Sequence, residues 1–164
     1  MNFWRRLFLR MLRVEVTFTK QAELIRSRPC IVVCNHQSMI DGVVIALAVQ
    51  VNMDYAVTPK YAVNNVTTKR LLEVMEKRGL GRVVPLSAEN AHSIRSLRKS
   101  LISGRSVMIF PTGKITPGEE KRGYEWLSIK TGCPVVRASI SGADKSIVFS
   151  RKGKNIWPKI NLTI

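Results

Sequence analysis

The chain has 164 residues, 45% hydrophobic and 23% charged, which suffices for one domain with a core and excludes a disordered chain. Its formal net charge of +16 implies an anionic partner: nucleic acid, an acidic protein or a membrane surface. Three scattered cysteines (Cys30, Cys34, Cys133), with no Cys-x-x-Cys pair, exclude a disulfide framework and offer no zinc site; buried reduced thiols in a cytosolic setting are expected.

The chain opens MNFWRRLFLRMLR. Phe3, Trp4, Leu7, Phe8, Met11 and Leu12 share one face of a helix, and Arg5, Arg6, Arg10 and Arg13 occupy the rest. An apolar face with Trp and Phe, flanked by arginines and no acid, describes a helix lying in a membrane interface over residues 1–13. The contacting residues are Phe3, Trp4, Arg5, Arg6, Leu7, Phe8 and Arg10, with Trp4 as an anchor. The plainer reading is a helix packed on its own domain with a solvated basic face. Arg10 and Arg13 interrupt the apolar region a signal peptide needs, and the longest apolar stretch, Gly42–Met53, falls well short of the ~20 residues of a bilayer span.

Residues 14–164 read as one α/β domain, ending or truncated at its C-terminus inside the strand-like run Leu162–Ile164. Val14–Phe18 is strand-like, followed by a polar connection through Arg28 and Pro29. Cys30–Cys34 is a β-branched run without alternation, as expected of a strand buried on both faces. Asp41–Val51 predicts an apolar helix, Tyr55–Thr58 a short strand, Val66–Lys77 an amphipathic helix closed by Gly79, and Arg82–Leu86 a strand. Asn90–Ile102 predicts a helix, Ser106–Phe110 a buried strand stopped by Pro111, Glu119–Thr131 a helix stopped by Gly132, and Pro134–Ile140 a strand. Ile147–Phe149 and Ile160–Ile164 are further strand candidates; Trp126 and Trp157 are expected to pack, and His92 to lie on the surface. Strands alternating with helices predict an α/β fold with a mainly parallel or mixed central sheet flanked by helices.

Ligands of such sheets bind beyond the carboxyl ends of the strands. Asn35, His36 and Asp41 follow one predicted strand, and FPTGKITPG, residues 110–118, follows another, so both loops should face one crevice. A histidine and an aspartate so spaced can form a base and its orienting carboxylate, suited to taking a proton from a hydroxyl. Asp41 could equally cap the helix that follows it. Gly113 lets the backbone approach a ligand and Lys114 can meet a phosphate as a point charge, while the plainer reading of the same residues is a Pro-Gly turn with Lys114 in solvent.

NHQSMIDG, with Asn35, His36, Ser38, Ile40, Asp41 and Gly42, and FPTGKIT, with Phe110, Pro111, Gly113, Ile115 and Thr116, followed by a GCPVV strand, resemble the glycerolipid acyltransferase (lysophosphatidic acid acyltransferase-like) superfamily. The pattern is closest to the acyltransferase part of the bacterial 2-acylglycerophosphoethanolamine acyltransferase/acyl-acyl carrier protein synthetase. The resemblance implies an acyltransferase fold with an N-terminal amphipathic helix. It implies transfer of an acyl chain from an acyl-CoA or acyl-carrier protein thioester to the free hydroxyl of a lysophospholipid, as in a 1-acylglycerol-3-phosphate or lysophospholipid O-acyltransferase. His36 would be the general base and Asp41 its orienting partner, with Asn35, Ser38, Phe110, Pro111, Thr112, Gly113 and Lys114 around the substrate. No metal or cofactor is implied. The expected location is peripheral, on the cytoplasmic face of an anionic membrane such as the bacterial inner membrane.

Two positions depart from the family pattern: Thr112 stands where it has a glutamate linked to acceptor binding, and Arg137 where its last block has a proline. The arginine of the family's second block is also not evident, with Arg82 and Lys60 as nearby candidates. A catalytically impaired, lipid-binding relative is the alternative reading. A basic nucleic-acid-binding domain is a third, but no helix-turn-helix, aromatic RNA-binding stripe or zinc motif accompanies the charge, so no nucleic-acid partner is expected.

Overall fold

The computed structural model describes residues 3–57, 66–86, 91–113, 115, 118–150 and 152–164, with the backbone alone at 66–68, 71 and 91–93. Seven strands form one sheet: β1 (Val14–Thr17), β2 (Ile31–Cys34), β3 (Met53–Val57), β4 (Arg82–Pro85), β5 (Ser106–Ile109), β6 (Val135–Ser141) and β7 (Ile160–Thr163). The described helices are α1 (Phe3–Met11), α2 (Ala22–Ser27), α3 (Asp41–Val49), α4 (Val66–Lys77), α5 (Ala91–Ile102) and α6 (Gly123–Thr131).

The strand order is β1-β7-β6-β2-β5-β3-β4. Strands β6, β2, β5, β3 and β4 run parallel, β7 pairs antiparallel with β6, and β1 runs parallel to β7. The sheet is therefore mixed, with β2 and β5 as adjacent parallel neighbours in register Val33↔Ile109.

Strand β2 lacks alternation because both of its faces are covered. Val32 and Cys34 join a core with Leu9, Ile25, Val44, Ile45 and Met108 on one side of the sheet. Ile31 and Val33 join Leu97, Leu101, Val107, Tyr124 and Leu127 on the other. Helix α3 is apolar all round because it lies between the sheet and α1: Val44 through Val49 are all buried.

Helix α1 packs on α3 through Leu9, only 3% exposed, while Leu12 is half-buried beside it. Its other apolar residues point away from the domain: Phe3 is 70% and Trp4 63% exposed, and Leu7, Phe8 and Met11 are exposed with them. Leu12, read in sequence as part of the outer stripe, thus faces inward, and the helix is both a core layer and an apolar outer surface.

Several boundaries differ from the sequence expectation. The connection before Pro29 contains α2, with Ala22 and Ile25 buried; six residues are too few for a legible period. Strand β3 starts at Met53, and Thr58 lies outside the described residues. Helix α6 starts at Gly123, because the Lys121 amide donates to the Pro111 carbonyl (3.0 Å) and draws the preceding residues back to the 110–113 turn. Ile147–Phe149 is a turn, not a strand: the Ser150 amide donates to the Ser146 carbonyl at 2.9 Å. Trp126 and Trp157, expected to pack, are 41% and 46% exposed. The side chain of His92, and all of Lys60, lie outside the described residues.

At the opposite end of β3 from its carboxyl terminus, Asp54 is fully buried. It accepts from Arg82 (2.6 Å), Ser100 Oγ (2.6 Å) and Arg105 Nε (2.7 Å), tying β3, β4 and α5 together. Arg82, a sequence candidate for the arginine of the family's second block, is therefore committed to this ion pair. Burial alone would raise the Asp54 carboxyl, but the hydrogen bonds from Arg105, Ser100 and Arg82 outweigh it and hold its pKa below the usual value. Its contribution to stability is whole above about pH 4 and is lost as pH falls through the lower folded-state value. Asp54→Asn is expected to cost about 3 kcal/mol and to remove this acid-dependent component, measured by urea unfolding as a function of pH.

Candidate active site

Strand β2 ends at Cys34, and the next residue clasps the sheet. Asn35 Nδ2 donates to the Ile140 carbonyl and Asn35 Oδ1 accepts from the Ile140 amide, both at 2.8 Å. The side-chain amide replaces a main-chain partner at the point where β6 turns to pair with β7 through Ser139↔Thr163. The chain after Asn35 is thereby free to form the 36–40 loop.

Asp41 is the first residue of α3 and is fully buried. Its carboxylate does not cap its own helix; it reaches back over the loop. Oδ2 accepts from the amides of Gln37 (2.6 Å) and Ser38 (2.8 Å), and Oδ1 accepts from Ser38 Oγ (2.6 Å). Oδ2 also lies 2.9 Å from His36 Nδ1. Four donors and the positive end of α3 make a buried carboxylate tolerable there. Because an ionised carboxylate can only accept, Nδ1 carries the hydrogen and Nε2 is left as the acceptor.

The imidazole is 19% exposed and stacks on Phe110, with ring centroids 4.0 Å apart and planes at 17°. Phe110 directly follows β5, the parallel neighbour of β2, so the His36 loop and the start of the Phe110–Gly113 turn lie side by side. The Gly113 amide donates to the Phe110 carbonyl at 3.0 Å, closing a turn in which Gly113 has φ +62°. The turn demands glycine for its backbone, whereas a Cβ there would meet open space. Pro111 is buried and Thr112 half-buried; Lys114 lies outside the described residues.

The residues expected around a substrate thus divide. Asn35 and Ser38 have their polar groups bonded within the protein, Asn35 to β6 and Ser38 to Asp41. Phe110 holds the histidine ring, and Thr112 and Gly113 follow it in the same turn. Sequence reasoning missed two features. Arg137, in the place of the family's proline, donates to Tyr124 Oη (2.8 Å) and Glu120 (3.5 Å), tying the segment that returns from the 110–113 turn to β6. Gln37 Oε1 is buried with no hydrogen-bond partner among the described residues. No local pattern announces either.

Cys34 lies two residues before His36 but cannot be its nucleophile. Burial, aided by the Asp41 charge, pushes its thiol up to about 12, so it stays protonated at neutral pH.

A glycerolipid acyltransferase resemblance carried by the His36–Asp41 and Phe110–Gly113 blocks can now be set against known proteins. The family model described as Acyltransferase matches residues 15–141, which include both loops. The chain belongs to the Acyltransferase family. The crystal structure of the 1-acyl-sn-glycerophosphate (LPA) acyltransferase PlsC from Thermotoga maritima superimposes with a TM-score of 0.57 at 22% identity. The match covers 97% of this chain and 68% of that one, and shows a shared fold.

In this Acyltransferase-family chain the neutral imidazole is expected to carry its hydrogen on Nδ1. Long-range nitrogen–proton correlation spectra should show that tautomer for His36, and Asp41→Asn should yield a mixture of both. Equal tautomer populations in the unsubstituted protein would contradict the carboxylate's orienting role.

Proposed function

We propose that this chain is a peripheral lipid acyltransferase that moves an acyl group from an acyl thioester to the free hydroxyl of a lysophospholipid. The observation that carries the reading is the His36–Asp41 pair, with Nδ1 held at 2.9 Å and Nε2 left to accept beside the Phe110–Gly113 turn. Nε2 takes the proton of the acceptor hydroxyl as its oxygen attacks the thioester carbonyl. Asp41 stabilises the imidazolium so formed. The tetrahedral intermediate collapses with cleavage of the C–S bond, and the imidazolium returns the proton to the leaving thiolate. In this reading the acyl group passes directly to the acceptor, and burial keeps the Cys34 thiol protonated.

The Gln37 and Ser38 amides are committed to Asp41 and the Gly113 amide to the Phe110 carbonyl, so the oxyanion is assigned to other backbone donors near the two loops. Gly113 and Lys114 are assigned to the acceptor's phosphate, and acyl-CoA or an acyl-carrier protein to the donor role. The pattern of the two blocks supports an acyltransferase of the bacterial 2-acylglycerophosphoethanolamine acyltransferase type. The exposed apolar stripe of α1, bordered by Arg6 and Arg10, supports attachment to the cytoplasmic face of an anionic membrane. No described helix is long and apolar enough to cross a membrane.

His36→Ala is expected to lower acyl transfer from a thioester to lysophospholipid by about 10³-fold or more at unchanged melting temperature. Equal rates in the two proteins would remove His36 as the base. Thr112→Glu restores the acid of the family pattern, and a gain in turnover or tighter acceptor binding is expected. The impaired-relative reading predicts instead that the unsubstituted chain binds lysophospholipid without transfer. Since Leu9 anchors α1 to α3, the membrane role of this helix is tested by substitution and not deletion. Leu7→Asp with Phe8→Asp should lower partitioning onto anionic vesicles by about tenfold or more, read by co-sedimentation.

A further inference from the structure

The segment after β6 builds a second apolar surface that the acyl-transfer reading does not use and that lies beyond the residues matched by the family model. Ile147, Val148, Ile156 and Trp157 are all exposed, Ile156 at 69%. The segment is clasped by its own backbone: the Ile147 amide donates to the Asn155 carbonyl (2.9 Å), and the amides of Lys154 and Asn155 donate to the Lys145 carbonyl (3.0 and 2.9 Å). Its apolar side chains are therefore held outward by a formed loop.

Three further observations bear on what covers it. The loop is fastened to the end of α1: Trp157 Nε1 donates to the Met11 carbonyl, Arg13 Nη1 to the Trp157 carbonyl (3.0 Å), and the Ile160 amide to the Arg13 carbonyl (3.0 Å). It also touches the histidine loop, where the Met39 amide donates to the Phe149 carbonyl (3.2 Å) and the Met39 side chain is exposed. Finally, Lys145, Lys152 and Lys154 of the same segment are exposed, with Asp144 the sole acid between Ser141 and Ile164.

We infer that this loop is a second lipid-contacting element: Ile147, Val148, Ile156 and Trp157 enter the headgroup–acyl boundary of an anionic bilayer while Lys145, Lys152 and Lys154 meet its headgroups. Exposed aromatic and aliphatic side chains on a lysine-rich segment suit that boundary on both counts. A single helix fixes depth but leaves the protein free to roll about the helix axis. A second contact beside it removes that freedom and sets the histidine loop against the bilayer that holds the acceptor. The inference deepens the peripheral-enzyme reading and rests on it for its biological purpose, but its test is a binding measurement that involves no turnover.

The experiment uses the full chain with Trp4→Phe and Trp126→Phe, leaving Trp157 as the only tryptophan. Vesicles of phosphatidylethanolamine and phosphatidylglycerol, with and without bromine-labelled acyl chains, should blue-shift and quench the Trp157 emission. The combined substitution Ile147→Ser, Val148→Ser, Ile156→Ser, all at exposed positions, should lower vesicle partitioning by about tenfold or more with an unchanged melting curve. Trp157 emission that ignores the bromine label, while a chain retaining only Trp4 is quenched, would overturn the inference and leave α1 as the membrane contact. Concentration-dependent dimerisation abolished by the triple substitution, with vesicle binding unaffected, would also overturn it and assign the surface to a second copy. Loss of acyl transfer in His36→Ala with Trp157 quenching intact separates the catalytic reading from this one.

Discussion

One buried carboxylate organises the end of the sheet that carries His36. Asp41 sits at the N-terminus of α3 without access to solvent, and everything that makes it tolerable there also shapes the site. The amides of Gln37 and Ser38 and the Ser38 hydroxyl must point inward to it, which fixes the 36–40 loop. Fixing the loop fixes His36, whose Nδ1 is the remaining donor. An imidazole held by one nitrogen presents the other, so orientation and protonation follow from one electrostatic requirement.

The sheet supplies the second constraint. Strands β2 and β5 are adjacent and parallel, so the chain leaves both at the same edge. Phe110 can then lie flat on the histidine ring, and the glycine turn closes directly after it. Asn35 marks where this geometry becomes possible: its amide closes the gap left as β6 diverts to β7, and the loop departs there. The charge network around Asp54 lies at the other end of β3, where it ties β4 and α5 to the sheet away from the His36 loop.

Surface and site are coupled through the same framework. Helix α1 turns one edge to α3 and leaves its aromatic stripe outside; the loop after β6 is bonded to the end of α1 on one side and to Met39 on the other. Two apolar outer surfaces are thus rigidly related to the histidine. The proposed lipid acyl transfer would use that relation, because its acceptor would approach from a plane and not from bulk solution. The basic excess of the chain adds long-range attraction to an anionic plane, at about 1 kcal/mol per cation near the surface.

Local pattern in the sequence determined much of this protein. The unalternating run Ile31–Cys34, the period of Val66–Lys77 and the stops at Pro111 and Gly132 sufficed for an α/β sheet, since each depends on residues within one element. The His36 and Asp41 pair and the FPTG block were legible for the same reason, and the rule that ligands bind at strand ends brought them together. Only tertiary structure decided the rest. The stacking of Phe110 on His36, the clasp of Asn35 on Ile140 and the bond from Trp157 to Met11 join residues far apart in the chain. Each depends on which strands are neighbours, and strand order is a property of the packed sheet that no short-range period encodes. The direction in which α1 faces was settled in the same way: Leu9, one apolar residue among several, found its place on α3, and that left the aromatic stripe on the outside.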